Sequence, residues 1–231
     1  MLGPIDYSMW SVDFLAEICC VVCLLKKRGF SRHFTILLYL CASIAVGVGR
    51  YSVMGTSGYS SGAYYYFYYY SDALLTICLY FVLMSMYSHV FSEMGVTKLL
   101  RGGAMLLLAS TVWISYHMVA TSSEKFVTQF VIELSQNLYF VGVVLTYLLW
   151  GAMMKLRENR THLMQLVLSM GVYFSAFAGS YALYNMYPNA LVWRYFPHLM
   201  ALWLPLSWAY TFMKVPEDAR IATARVLVPN R

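Results

Sequence analysis

Along this chain, apolar residues fall in long runs, and polar residues gather in the short gaps between them. Runs of about 18 residues or more are long enough for a helix to cross a ~30 Å hydrocarbon layer. The pattern predicts seven such helices, over residues 8–25, 34–53, 66–89, 102–121, 127–154, 162–184 and 196–213. The fifth is the longest and is expected to tilt. The predicted fold is therefore all-α, a seven-transmembrane-helix bundle over residues 1–213, with a cytoplasmic amphipathic tail over 214–231. In that tail, "KVPEDARIATARVLVPNR", Pro216 suits a first helical turn and Ile221, Ala224 and Val228 form an apolar stripe. A short helix from Pro216 to about Leu227 is expected there, resting on the inner membrane surface or on a partner subunit.

Composition strengthens the membrane reading. Hydrophobic residues make up 61% of the 231 residues and charged ones only 11%, against roughly 25% charged in a soluble domain. The short connections leave no room for a soluble catalytic or signalling domain. Basic residues then give a direction, because they retain their loop in the cytoplasm. One side collects Lys26, Lys27, Arg28, Arg32, Lys98, Arg101, Lys155, Arg157, Arg160, Lys214, Arg220, Arg225 and Arg231, and the other only Arg50, Lys125 and Arg194. This predicts the N-terminus outside and the C-terminus in the cytoplasm. The net charge of +6 is accordingly a topology signal and an attraction to anionic lipid, not a sign of nucleic-acid binding. No cleavable signal peptide is expected, since a basic n-region and an A-x-A-like site are missing.

The run Tyr64–Tyr70 holds six tyrosines and Phe67. Such a run favours a strand by propensity, but an open strand edge cannot enter lipid with its backbone groups unsatisfied. A helix entering the outer headgroup layer is expected instead, where amphipathic rings are favoured. Consecutive rings cover every side of that helix. They form an aromatic belt, and the inward ones, Tyr69 among them, are candidates for walling a ligand pocket.

Ionisable groups inside a span cost several kcal/mol unless paired or hydrated, and so mark candidate function. Asp13 and Glu17 in the first span, Asp72 in the third and Glu133 in the fifth share one depth near the outer end. Asp13 and Glu17 lie on one helix face, as do Glu133, Gln136 and Asn137. Arg50 and His117 stand near the outer ends of the second and fourth spans. The near-equal spacing of Asp13, Asp72 and Glu133 fits three weakly similar helical hairpins followed by a seventh helix. Two readings follow: a buried ion-pair network that fixes helix packing, or an outward-facing polar pocket for a small cation, a proton or a polar ligand.

Other motifs carry less. "GTSG" at Gly55–Gly58 matches the surroundings of the rhomboid protease nucleophile, but Ser57 falls in an outer loop and no second helix-borne histidine pattern accompanies it. "CCVVC" (Cys19–Cys23) reads as small apolar filler on a lipid-embedded helix. His33, His89 and His162 fall at the cytoplasmic ends of spans, and His117 and His198 at the outer ends, whereas haem needs facing histidines well inside. No lysine in the seventh span offers a retinal Schiff base, and the acid–arginine and N-P-x-x-Y motifs of G-protein-coupled receptors are missing. Gly171, Ser175 and Gly179 form a small-residue face suited to close helix contact, and Pro205 lies mid-helix in the seventh span.

The layout resembles that of uncharacterised bacterial seven-helix inner-membrane proteins and of the seven-helix input modules fused to some sensor kinases. It shares their outside N-terminus, short loops and outer-leaflet polar residues, and departs from the sensor modules by ending without an output domain. The resemblance implies a bacterial cytoplasmic membrane and a non-catalytic subunit that works through other membrane proteins. A transporter using the intramembrane acids and an electron-transfer or quinone-binding subunit are the alternatives.

Overall fold

The computed structural model describes residues 4–26, 33–58, 61–91, 97–120, 126–155, 160–187 and 192–216. They form seven α-helices: α1 (Pro4–Lys26), α2 (Phe34–Ser57), α3 (Gly62–Val90), α4 (Thr97–Ala120), α5 (Phe126–Lys155), α6 (Thr161–Met186) and α7 (Val192–Lys214). The expected tail helix from Pro216 to Leu227 lies almost wholly outside the described residues.

Among the described residues, five stretches are long and apolar enough to cross a membrane: Ser8–Lys26, Phe34–Ser57, Gly62–Val90, Gln129–Lys155 and Thr161–Tyr184. On α4 the apolar stretch Met105–His117 is shorter. The bundle presents large apolar side chains outward, with Leu15, Leu106, Trp113 and Leu148 each at least 60% exposed. Water would penalise such a surface and lipid does not.

The tyrosine run is helical over its whole length. Its helix starts before the first ring, because Ser61 caps the N-terminus by accepting from Tyr64 N at 3.1 Å. An oxygen at this position satisfies one of the four N–H groups that a helix start leaves open. The preceding turn uses Gly58 at φ 82°, a left-handed conformation that glycine adopts without steric cost. As expected for consecutive positions on a helix, Tyr65, Tyr66 and Tyr70 are exposed while Tyr64, Phe67, Tyr68 and Tyr69 are half-buried.

Helix packing follows a ring. In order around it, α1 packs on α2, α2 on α3, α3 on α5, α5 on α6, α6 on α7, and α7 back on α1. Outside this ring α4 rests against α5 and, lightly, α3. The three hairpins inferred from sequence spacing are therefore not equivalent: α5 and α6 pack extensively, whereas α5 displaces α4 from α3. Between α5 and α6 the close approach centres on Gly142, whose missing Cβ leaves room for the Phe174 ring. Of the small-residue face on α6, Gly171 faces Thr146 of α5 and Gly179 faces open space. Despite Pro205, α7 remains one helix.

The most deeply buried aliphatic side chains are concentrated in one half of the bundle. Leu24, Ile36, Leu40, Leu83, Leu149, Met153, Leu166 and Trp208 are all 2% exposed or less. Each lies toward the end of its helix marked by Lys26, Lys155 and Lys214, the basic end. The intramembrane acids and Arg50 lie in the other half, toward the tyrosine run. That division positions the candidate site.

Candidate functional site: a carboxylate enclosed by tyrosines

The tyrosine-end half brings Glu17, Arg50 and Asp72 together from α1, α2 and α3. Glu17 accepts a hydrogen bond from Ser43 Oγ of α2. Arg50, about two helical turns farther along α2, directs its donors to neutral partners. Its Nε donates to Ser71 Oγ at 2.9 Å and a terminal nitrogen to the Tyr68 carbonyl at 3.2 Å. Its guanidinium carbon lies 4.4 Å from the Tyr68 ring centroid, within the range of a cation–π contact. Among the described residues it makes no ion pair with a carboxylate. Both Glu17 and Asp72 still lie within its field.

Asp72 is the deepest of the acids. Around it stand the hydroxyls of Ser135 and Tyr139 on α5 and Tyr181 on α6. Tyr139 comes within 3.4 Å of Oδ1, a long contact, and Oδ2 is shielded from solvent with no hydrogen-bond partner. The Ser135 hydroxyl is likewise buried and unpartnered. The cage is held by ring packing: Tyr139 stacks on Phe177 at 4.9 Å and tilts against Tyr181 at 5.8 Å, and Tyr173 meets Phe177 at 4.7 Å. From this cage a row of hydroxyls continues. That of Tyr173 on α6 faces both Tyr139 and Tyr39, the last on α2. Tyr39 is six residues from His33 at the basic end, about 9 Å of helix.

The other candidate residues are distributed as follows. Asp13 pairs with His198 of α7, Nδ1 to Oδ2 3.7 Å, beside a cleft lined by Ser8, Met9, Val12 and Leu202. Tyr69 packs on Tyr65 at 4.6 Å and Tyr68 at 5.4 Å, one turn above Asp72. Glu133 and Gln136 are half-buried on α5, and Asn137 donates to Ser115 of α4 at 3.0 Å. His117 is exposed and packs on Trp113 of its own helix at 4.8 Å. It is not brought to the acids.

Sequence reasoning missed the cage itself. Its signal was present: Tyr173, Phe177 and Tyr181 recur at four-residue spacing and share one face of α6, as Ser135 and Tyr139 do on α5. It also missed that His33, His89 and His162 meet at the basic end, with His33 5.7 Å from His162 and 6.4 Å from His89 between ring centroids. Among the described residues, no group of three histidine, cysteine or acidic side chains has the arrangement of a metal site. No family model, curated protein or solved structure matches the chain.

Proposed function

We propose that this chain is a seven-helix integral membrane protein of a bacterial cytoplasmic membrane, with the tyrosine end outside and the basic end in the cytoplasm. In this reading it is non-catalytic. It holds a proton or a small cation at the Asp72 cage and works as a subunit through other membrane proteins. The observation that supports this is the Asp72 carboxylate, with one oxygen shielded from water and without a hydrogen bond among the hydroxyls around it. A charge left so in a bundle costs several kcal/mol. A proton on Oδ2 removes the charge, and a small cation neutralises it. Arg50 acts on Asp72 only through its field, its hydrogen bonds going to Ser71 and the Tyr68 carbonyl.

A second reading, proton translocation, has its own support in the row of hydroxyls from Asp72 through Tyr139 and Tyr173 to Tyr39. Hydroxyls both donate and accept, so such a row can pass a proton toward the basic end. The infrared spectrum of the purified chain tests the site. A carbonyl stretch of a protonated carboxyl that disappears in Asp72→Asn is expected, and a spectrum unchanged by that substitution and by added Na⁺ overturns the reading. Proteoliposomes carrying a pH-sensitive dye separate the two: proton flux abolished in Tyr139→Phe supports translocation, and its absence leaves binding.

A further inference from the structure

The row of hydroxyls that leads away from Asp72 has a second acid near its far end. Tyr39 on α2 is 7% exposed and lies within the fields of both Glu17 and Asp72. Its ring meets Trp208 of α7 edge-on at 5.7 Å, and its hydroxyl faces that of Tyr173 on α6. The rings of Tyr173 and Tyr139 stand 6.3 Å apart, and the Tyr139 hydroxyl comes within 3.4 Å of Asp72 Oδ1. Glu17 of α1 closes the series on the other side. It accepts from Ser43 Oγ, and Ser43 is four residues from Tyr39 on the same face of α2. That bond holds the Glu17 carboxyl over the face that carries Tyr39.

The two acids differ in their access to water. Oδ2 of Asp72 is shielded, and the rings of Tyr139, Phe177 and Tyr181 pack together beside it. Glu17 is half-buried. One turn outward on the same face of α1 stands Asp13, in the wall of the cleft between α1 and α7. His198, its partner across that cleft, is 42% exposed. Glu17 thus lies between an open cleft and a closed row. Among the described residues, the charged groups in reach of Glu17 are Asp13 and Arg50, and Arg50 also reaches Asp72. One guanidinium balances one carboxylate, so Glu17, Asp72 and Arg50 are neutral together when a single proton resides on either acid.

We propose that Glu17 is the port through which Asp72 takes up and releases its proton, with Tyr39, Tyr173 and Tyr139 as the path between them. For uptake, Glu17 gives its proton to the Tyr39 hydroxyl oxygen while Tyr39 passes its own to Tyr173. Tyr173 passes its proton to Tyr139, and Tyr139 passes its proton to Asp72. Each tyrosine ends with one proton, Glu17 ends ionised and Asp72 neutral. A hydroxyl both donates and accepts, so every step needs only a rotation and no lasting charge on a ring. Water at the cleft then restores the proton on Glu17, and release runs the same path backward. The inference rests on the reading of Asp72 as a proton-holding group and adds the route by which that group meets solvent.

The test uses the full chain in phosphatidylcholine nanodiscs, moved rapidly into D₂O. It follows the infrared carbonyl stretch that is lost in Asp72→Asn. Deuterium on the carboxyl lowers that frequency, so the band times the exchange of Asp72 with solvent. Exchange should slow by roughly tenfold or more in Glu17→Gln, Tyr39→Phe and Tyr173→Phe. These changes preserve shape: the glutamine oxygen still accepts from Ser43, and phenylalanine keeps each ring. Tyr87 donates to the Leu145 carbonyl at 2.6 Å, away from the row, so Tyr87→Phe should leave exchange unchanged. Wild-type exchange in Glu17→Gln or Tyr173→Phe, or equal slowing in Tyr87→Phe, overturns the port and leaves the Asp72 band and its reading in place. If no band is lost in Asp72→Asn, the port falls as well, and the response to Na⁺ decides the reading of the site separately.

Discussion

Adding one methyl group at Gly142 should loosen the bundle where its aromatic cage is anchored. An ideal Cβ at this position would stand 2.5, 2.6 and 2.8 Å from Cδ1, Cε1 and Cγ of Phe174. Non-bonded carbons rest at about 3.5–4.0 Å, so the ring must retreat by about 1 Å. It has little room to do so. Phe174 is 1% exposed and is flanked by Tyr139 and Tyr173 at 6.3 and 6.2 Å. Overpacking of this kind costs about 1–3 kcal/mol, and the better helix propensity of alanine offsets up to about 1 kcal/mol. Gly142→Ala should therefore destabilise by a net ~1–2 kcal/mol. Gly151 supplies the control: it lies on the same helix with nothing within 4 Å of its would-be Cβ, so Gly151→Ala should be neutral or stabilising. Denaturation by SDS in mixed micelles, followed by tryptophan fluorescence, measures both. Phe174→Leu should suppress the penalty, so that the double variant departs from additivity. Equal stability of Gly142→Ala and Gly151→Ala would refute the reasoning.

Arg50→Lys should cost about 2–3 kcal/mol, because a single ammonium cannot reproduce the fork to Ser71 and the Tyr68 carbonyl; the same micelle titration reads it, and a cost near zero would show that the two bonds contribute nothing. A reporter that folds only outside the cell, fused after Arg231, should be silent if the basic end is cytoplasmic; an active fusion reverses the orientation.

Depth was legible in the sequence and azimuth was not. Position along an apolar run fixes how far a residue sits from the helix end, which is why Glu17, Arg50 and Asp72 could be assigned to one layer; Arg50 reaches Ser71, the residue before Asp72. Rotation about the helix axis needs a polar face, and helices apolar on nearly every side offer little of one. His117 shares the expected level yet points outward beside Trp113. His33, His89 and His162 were correctly placed at one end, but their convergence depends on three rotations and on the neighbours of α2, α3 and α6. The position of α4 outside the ring was equally invisible, because chain order suggests that it should fill the place α5 takes.

The contact between α1 and α7 has a consequence for how the protein is made. Helices leave the ribosome in order, and α1 enters the bilayer carrying Asp13 long before His198 exists. That acid must wait, hydrated near the membrane surface or neutral, until the seventh helix arrives to close the ring. Contacts so distant in sequence form slowly. The half-assembled bundle leaves Asp13 without His198 for the whole of that interval, which makes synthesis of α7 the moment at which quality control would distinguish finished molecules from arrested ones.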